Sequence, residues 1–188
     1  MQATGDRDKI RELTSRLRSI GFTCKKCGKC CTEVSEDSNL VMVMPDEINV
    51  ITKATGLAWE SVAEPYPEFI SEDGDTRYTF GWCIRRESNR CMFLKAGKCS
   101  IYHHRPWICR TYPFRLDGKD IVTSSCPGTG TSVGLRKAER LSEELIRRDN
   151  LERAEEEQVK KVWAGGKMRL VPGKSVVIDC EGVWVLNG

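Results

Sequence analysis

At 188 residues the chain is long enough to bury a real core, as one domain or as one domain with a small appendage. No segment approaches the roughly 18 uninterrupted apolar residues of a membrane span, and a net charge of +3 by itself implies no particular partner. Ten cysteines, however, are well above ordinary usage and need a reason of their own.

Residues 1–20 contain Asp6, Arg7, Asp8, Lys9, Arg11, Glu12, Arg16 and Arg18 and no apolar signal-peptide core. The expectation is a cytoplasmic protein, in a reducing compartment where clustered cysteines bind metal or do redox chemistry rather than form a disulfide scaffold. Charge is distributed in blocks. Residues 1–31 hold eight Lys/Arg against three Asp/Glu and 81–119 hold nine against two, whereas 32–80 hold two against eleven. The basic blocks coincide with the cysteine blocks. Four thiolates around Zn²⁺ or a [4Fe–4S]²⁺ core leave a net charge of about −2, which neighbouring Lys and Arg would offset. A plain solvated surface and a nucleic-acid patch are the other readings of the same blocks.

Residues 8–20 place Ile10, Leu13, Leu17 and Ile20 three and four apart on one helical face, with Gly21 at the stop position. This helix leads into Cys24-Lys25-Lys26-Cys27-Gly28-Lys29-Cys30-Cys31, four cysteines within eight residues, and Phe22 is expected to pack beside the first of them. A thiolate-bound metal needs several soft ligands converging on one point, and one short loop supplies them before any tertiary contact is specified. Gly28 lets the backbone turn so that cysteines three apart face a common centre. Cys31 stands apart, because adjacent side chains diverge and Cys30 and Cys31 do not serve one centre in the same way. It either points to a second site, as the last cysteine of a ferredoxin-type run does, or is a buried thiol.

Residues 40–44 form a short apolar run in which Met42 and Met44 read as core fillers, and Pro45-Asp46-Glu47 opens a helix through Ala54 that Gly56 ends. Residues 57–76, with Pro65, Pro67, Gly74 and many carboxylates, read as an acidic loop, and 77–84 as a strand. In the second dense block, Cys91 and Cys99 flank a turn at 95–98, which predicts a hairpin bringing both thiols to one end. Pro106 starts a helical turn that presents Cys109, and 115–122, with Asp117-Gly118-Lys119, predicts a hairpin that delivers Cys126-Pro127-Gly128. From 131 to 163 the apolar face Leu135, Ala138, Leu141, Leu145 and Ile146 predicts a long helix, with a break near Asn150 and a stop at Gly165-Gly166. Residues 168–171, 175–179 and 183–186 predict a C-terminal meander. The expected fold is α+β: a small cysteine-rich metal-binding domain of short strands and helices (1–130), one long helix (131–164) and a C-terminal three-stranded meander packing on the same domain (165–188).

Taken together, Phe22-x-Cys24-x2-Cys27-x2-Cys30-Cys31, then Cys91-x-Phe93-Leu94, Cys99-x-Ile101-Tyr102-x2-Arg105-Pro106-x2-Cys109-Arg110-x-Tyr112-Pro113-Phe114 and a later Cys126-Pro127-Gly128 resemble the YkgJ-type CxxCxxCC cysteine-cluster family. That family is described as a zinc- or iron-chelating domain. The resemblance spans residues 22–128, with Met44-Pro45-Asp46-Glu47-Ile48 matching the helix-opening pattern between the two motifs. Flagellin lysine N-methylases are similar to it as well, and are held to carry an iron–sulfur cluster. The resemblance implies a metal site built from Cys24, Cys27, Cys30, Cys31, Cys91, Cys99, Cys109 and Cys126, as two four-cysteine centres or as one centre with spare cysteines. Arg105 and Arg110 are then expected to hydrogen-bond cluster sulfurs or brace the loops. His103 and His104 take surface or supporting places, and Tyr112, Pro113 and Phe114 form a hydrophobic wall. Cys83 and Cys180 fall outside the pattern and read as buried or incidental thiols.

Structural zinc sites usually show two separated C-x2-C knuckles, whereas three equally spaced cysteines in one loop are closer to a bacterial ferredoxin run. The cofactor expectation is therefore an iron–sulfur cluster, [4Fe–4S], with zinc as the alternative. For function, the first reading is a cluster-binding protein that transfers electrons to, or delivers a cluster to, a protein partner. An enzyme of the lysine N-methylase kind is disfavoured, because no Gly-rich nucleotide loop follows a strand. The third reading is a zinc-stabilised interaction module without catalysis, with nucleic acid among its conceivable partners.

Overall fold

The computed structural model describes residues 2–32, 40–71, 76–165 and 173–186. In chain order the helices are α1 (Gln2–Ile20), α2 (Pro45–Thr55), α3 (Trp59–Val62), α4 (Trp107–Thr111) and α5 (Leu135–Gly165). The strands are β1 (Met42–Val43), β2 (Ala63–Pro65), β3 (Ile70–Ser71), β4 (Arg77–Phe80), β5 (Trp82–Ile84), β6 (Arg86–Glu87), β7 (Arg90–Cys91), β8 (Leu94–Lys95), β9 (Lys98–Cys99), β10 (Phe114–Asp117), β11 (Asp120–Thr123), β12 (Ser175–Ile178) and β13 (Val183–Val185). The mixture of short strands, helices and one long helix is the expected α+β class. The chain divides into two compact units, Met1–Cys30 with Trp107–Leu151 and Cys31–Pro106 with Glu152–Gly188, and α5 contributes residues to both. Among the described residues no helix is long and apolar enough to cross a membrane.

In the first unit α1 buries Leu13 and Leu17 as its periodicity predicts, and Gly21 stops it in a left-handed conformation (φ 73°) with its N–H on Leu17 O at 2.8 Å. Leu17, Phe22, Phe114, Val133, Ala138, Leu141 and Leu145 form one core. Thr14 and Ser142 are buried beside it and satisfy each other at 3.0 Å. The expected hairpin is present as β10 and β11, in register from Phe114 opposite Thr123 to Asp117 opposite Asp120.

The second unit contains two larger sheets, β1-β5-β2 and β13-β12-β4-β3, the latter with β12 parallel to β4. The single strand expected over 77–84 is two strands in different sheets. Gly81 sits between them at φ 75°, a conformation that lets the chain leave one sheet and enter the other. The loop expected over 57–76 contains α3, β2 and β3, because Val62 and Ala63 are apolar enough to be buried and β2 pairs with β5. Val43, Ile48, Ile51, Val62, Trp82, Ile84, Phe93, Ile101 and Val177 belong to the main core. Trp82 Nε1 donates to the buried Asp179 carboxylate at 2.7 Å.

Helix α2 ends at Gly56 as expected, with φ 73° and its N–H on Thr52 O at 2.8 Å. Helix α5 runs unbroken through Asn150. Its later residues Val159 and Val162 pack against Tyr78, Val176 and Ile178. Of the expected meander, β12 and β13 are present and pair antiparallel; residues 168–171 lie outside the described residues.

Candidate metal centre

The first unit brings three cysteine-bearing segments together. Immediately after α1, residues 21–23 run antiparallel to 128–130: Phe22 bridges Thr129, Thr23 N–H reaches Gly128 O at 3.1 Å, and Gly130 N–H reaches Gly21 O at 3.0 Å. Two glycines make the approach possible. A Cβ on Gly21 would lie 2.6 Å from Thr131 O, and one on Gly128 would collide with Thr23 O. This pairing ties the start of the Cys24 loop to the segment that carries Cys126.

The third segment is α4, which presents Cys109. Tyr112 Oη donates to Ser125 O at 2.6 Å and Ser124 N–H to Pro113 O at 2.8 Å, so the end of α4 is fastened to the residues just before Cys126. Phe22 and Phe114 close the base of the arrangement edge to face, with ring centroids 5.4 Å apart.

Within the loop, Lys26 (φ 52°) and Gly28 (φ 73°) both adopt left-handed backbone, which curls Cys24 to Cys27 into a tight turn. Lys26 N–H points at Cys24 Sγ and Gly128 N–H at Cys126 Sγ, each at 3.4 Å. Such donors orient a sulfur and match the charge it carries as a metal ligand. Cys24, Cys27 and Cys30 are exposed, while Cys109 and Cys126 are half-buried.

The remaining family cysteines lie in the second unit. Cys31 ends a 3₁₀ turn (Lys29–Cys31). Cys91 and Cys99 do not share one hairpin: Cys91 pairs with Arg86 in the β6–β7 hairpin, and Cys99 with Leu94 in the β8–β9 hairpin. Both hairpins turn through two residues of positive φ, Ser88-Asn89 and Ala96-Gly97, the geometry that matches strand twist. Both thiols pack against the main core of this unit.

Cys83 and Cys180 have different chemistry. Cys83 is fully buried on β5, donates to Glu64 O at 3.6 Å, and is pushed up to about 11 by burial and then by the Glu64 charge. Burial, then the hydrogen bond and charge of Glu155, push Cys180 up to about 12. Both are therefore protonated thiols at neutral pH in the metal-free protein.

Arg105 stacks on Tyr102 at 3.7 Å and donates from Nε to Tyr102 O at 2.9 Å, bracing the turn that carries the exposed His103 and His104. Arg110 stacks on Trp107 at 4.7 Å. Among the described residues no three Cys, His, Asp or Glu groups already converge as a ligand set.

A sequence profile of the CxxCxxCC family, described as "Putative zinc- or iron-chelating domain", matches residues 23–127, more than half of the chain. The chain belongs to the CxxCxxCC family. Uncharacterized protein MJ0661 of Methanocaldococcus jannaschii is 27% identical over 104 residues, covering 53% of this chain and 48% of that protein. The chain thus spans about half the length of that relative. No solved structure matches it. Membership in the CxxCxxCC family supports metal binding, and the donor set fits: soft thiol sulfurs exposed on the 24–30 turn, with Cys24 there and Cys126 on the neighbouring segment each met by a backbone N–H group.

Proposed function

We propose that the protein holds an iron–sulfur cluster through cysteines drawn from Cys24, Cys27, Cys30, Cys31, Cys91, Cys99, Cys109 and Cys126, and passes electrons, or the cluster itself, to a protein partner. The observation that carries this reading is the 24–30 loop. Its three equally spaced cysteines are exposed, its backbone is left-handed at Lys26 and Gly28, and Lys26 N–H points at Cys24 Sγ. When bound, a cluster supplies a one-electron couple whose potential depends on hydrogen bonds to its sulfurs and on nearby charge. Lys25, Lys26 and Lys29, exposed in the same loop, supply that charge. Their exposure also suits an encounter with an acidic partner surface.

The Cys24-Lys25-Lys26-Cys27-Gly28 turn favours a second reading, since a C-x2-C knuckle with a backbone donor to sulfur suits structural zinc equally well. Iron, zinc and acid-labile sulfide measured on anaerobically purified protein separate the two. Iron with matching sulfide is expected, and Cys24→Ser should lower both. Stoichiometric zinc without sulfide would replace the redox reading with a zinc-stabilised module.

A further inference from the structure

A helix of five residues does not hold itself together, because the cost of its first turn is never recovered by propagation. Something outside α4 must fix Cys109. Two consecutive residues of α5 contact the two ends of α4. Arg148 Nη1 donates to Thr111 Oγ1 at 2.9 Å and to Phe114 O at 3.4 Å, bracketing the end of α4 and the start of β10. The Arg148 side chain is buried, at 8% exposure. Thr111 Oγ1 in turn donates to Trp107 O at 3.0 Å, linking the last residue of α4 to its first. Arg147 holds the other end, its guanidinium 4.9 Å from the Trp107 ring, which Arg110 also contacts at 4.7 Å. Cys109 lies between the two anchor points.

We infer that Arg147 and Arg148 are positioning residues for the metal centre: they hold the turn that presents Cys109 and bring positive charge to it. This rests on the metal-binding reading of Cys109. A leucine could fill the space of Arg148, and burying a guanidinium is costly. Only the guanidinium, however, reaches a hydroxyl and a carbonyl together and adds a charge that offsets an anionic thiolate centre.

Arg148→Met, Arg148→Lys and Arg147→Met would be purified anaerobically beside the wild type. Each sample would be assayed for bound iron and zinc and for metal loss to a competing chelator, with folding checked by far-ultraviolet circular dichroism. Arg148→Met should hold metal about tenfold or more less tightly, Arg147→Met a few-fold less tightly, and Arg148→Lys between wild type and Arg148→Met. A folded Arg148→Met that yields metal to chelator at the wild-type rate overturns the inference and leaves the metal-binding reading standing. A wild type without metal overturns both. If Arg148→Met does not fold, Arg147→Met decides, because its exposed side chain adds only the stacking contact; wild-type retention in it and in Arg148→Lys overturns the inference.

Discussion

Among the ten thiols, two stand apart from the loop cysteines in their chemistry. Cys83 and Cys180, with pKa values of about 11 and 12, stay protonated at neutral pH, whereas Cys24, Cys27 and Cys30 are exposed. Alkylation of metal-free native protein followed by mass spectrometry should therefore label the three loop cysteines and spare Cys83 and Cys180. Labelling of Cys83 as fast as Cys27 would contradict this. Glu155 gives a test by pH. Burial raises its pKa above the ordinary carboxylate value, and the Asp179 and Asp46 charges add to that, while hydrogen bonds from Cys180 oppose it. A carboxyl with a raised folded-state pKa is destabilising while ionised, and the cost disappears as pH falls through that pKa to the ordinary range. Glu155→Gln, which mimics the protonated form, should raise the melting temperature at neutral pH, with the gap closing in acid; a gap that widens in acid would refute the assignment. The loop cysteines were legible in the sequence because ligand spacing is local. Arg148 was not: in a helix dense with Arg and Glu it looks like any solvated charge, and only Thr111 and Phe114, more than thirty residues away, make it buried.

Among the elements, the pairing of 21–23 with 128–130 carries the candidate site. Replacing Gly128 with Ala would drive a Cβ into Thr23 O, and one or both strands would have to move. A loss of about 1–3 kcal/mol in urea unfolding is expected, together with reduced metal content. Wild-type values on both counts would show that the pairing does not hold the loop. Helices read well from sequence, since a 3.6-residue period and a glycine stop are both local, as α1 with Gly21 and α2 with Gly56 show. The break expected near Asn150 is absent because one asparagine lowers helix propensity by only a few tenths of a kcal/mol. Strands read less well. Nothing between 77 and 84 tells that β4 pairs with residues near 70 and 176 while β5 pairs with residues near 42 and 64.

At the scale of the whole chain, the alternating charge blocks become a difference between units. The first holds sixteen Lys/Arg against nine Asp/Glu and the second fourteen against eighteen. Cys24, Cys27, Cys30, Cys109 and Cys126 all lie in the basic one. An excess of positive charge in that unit would offset the negative charge of a thiolate metal centre, the first of the three readings of the charge blocks. The grouping of 1–30 with 107–151 could not be read from the sequence, because it depends on backbone pairing across about a hundred residues. X-ray absorption at the iron and zinc edges of anaerobically purified protein tests the centre most directly, since it reports the element and its first shell together. Iron surrounded by sulfur is the expected result. Zinc with sulfur at about 2.3 Å would keep the thiolate centre and remove its redox role, and a shell of nitrogen and oxygen alone would contradict metal binding by these cysteines.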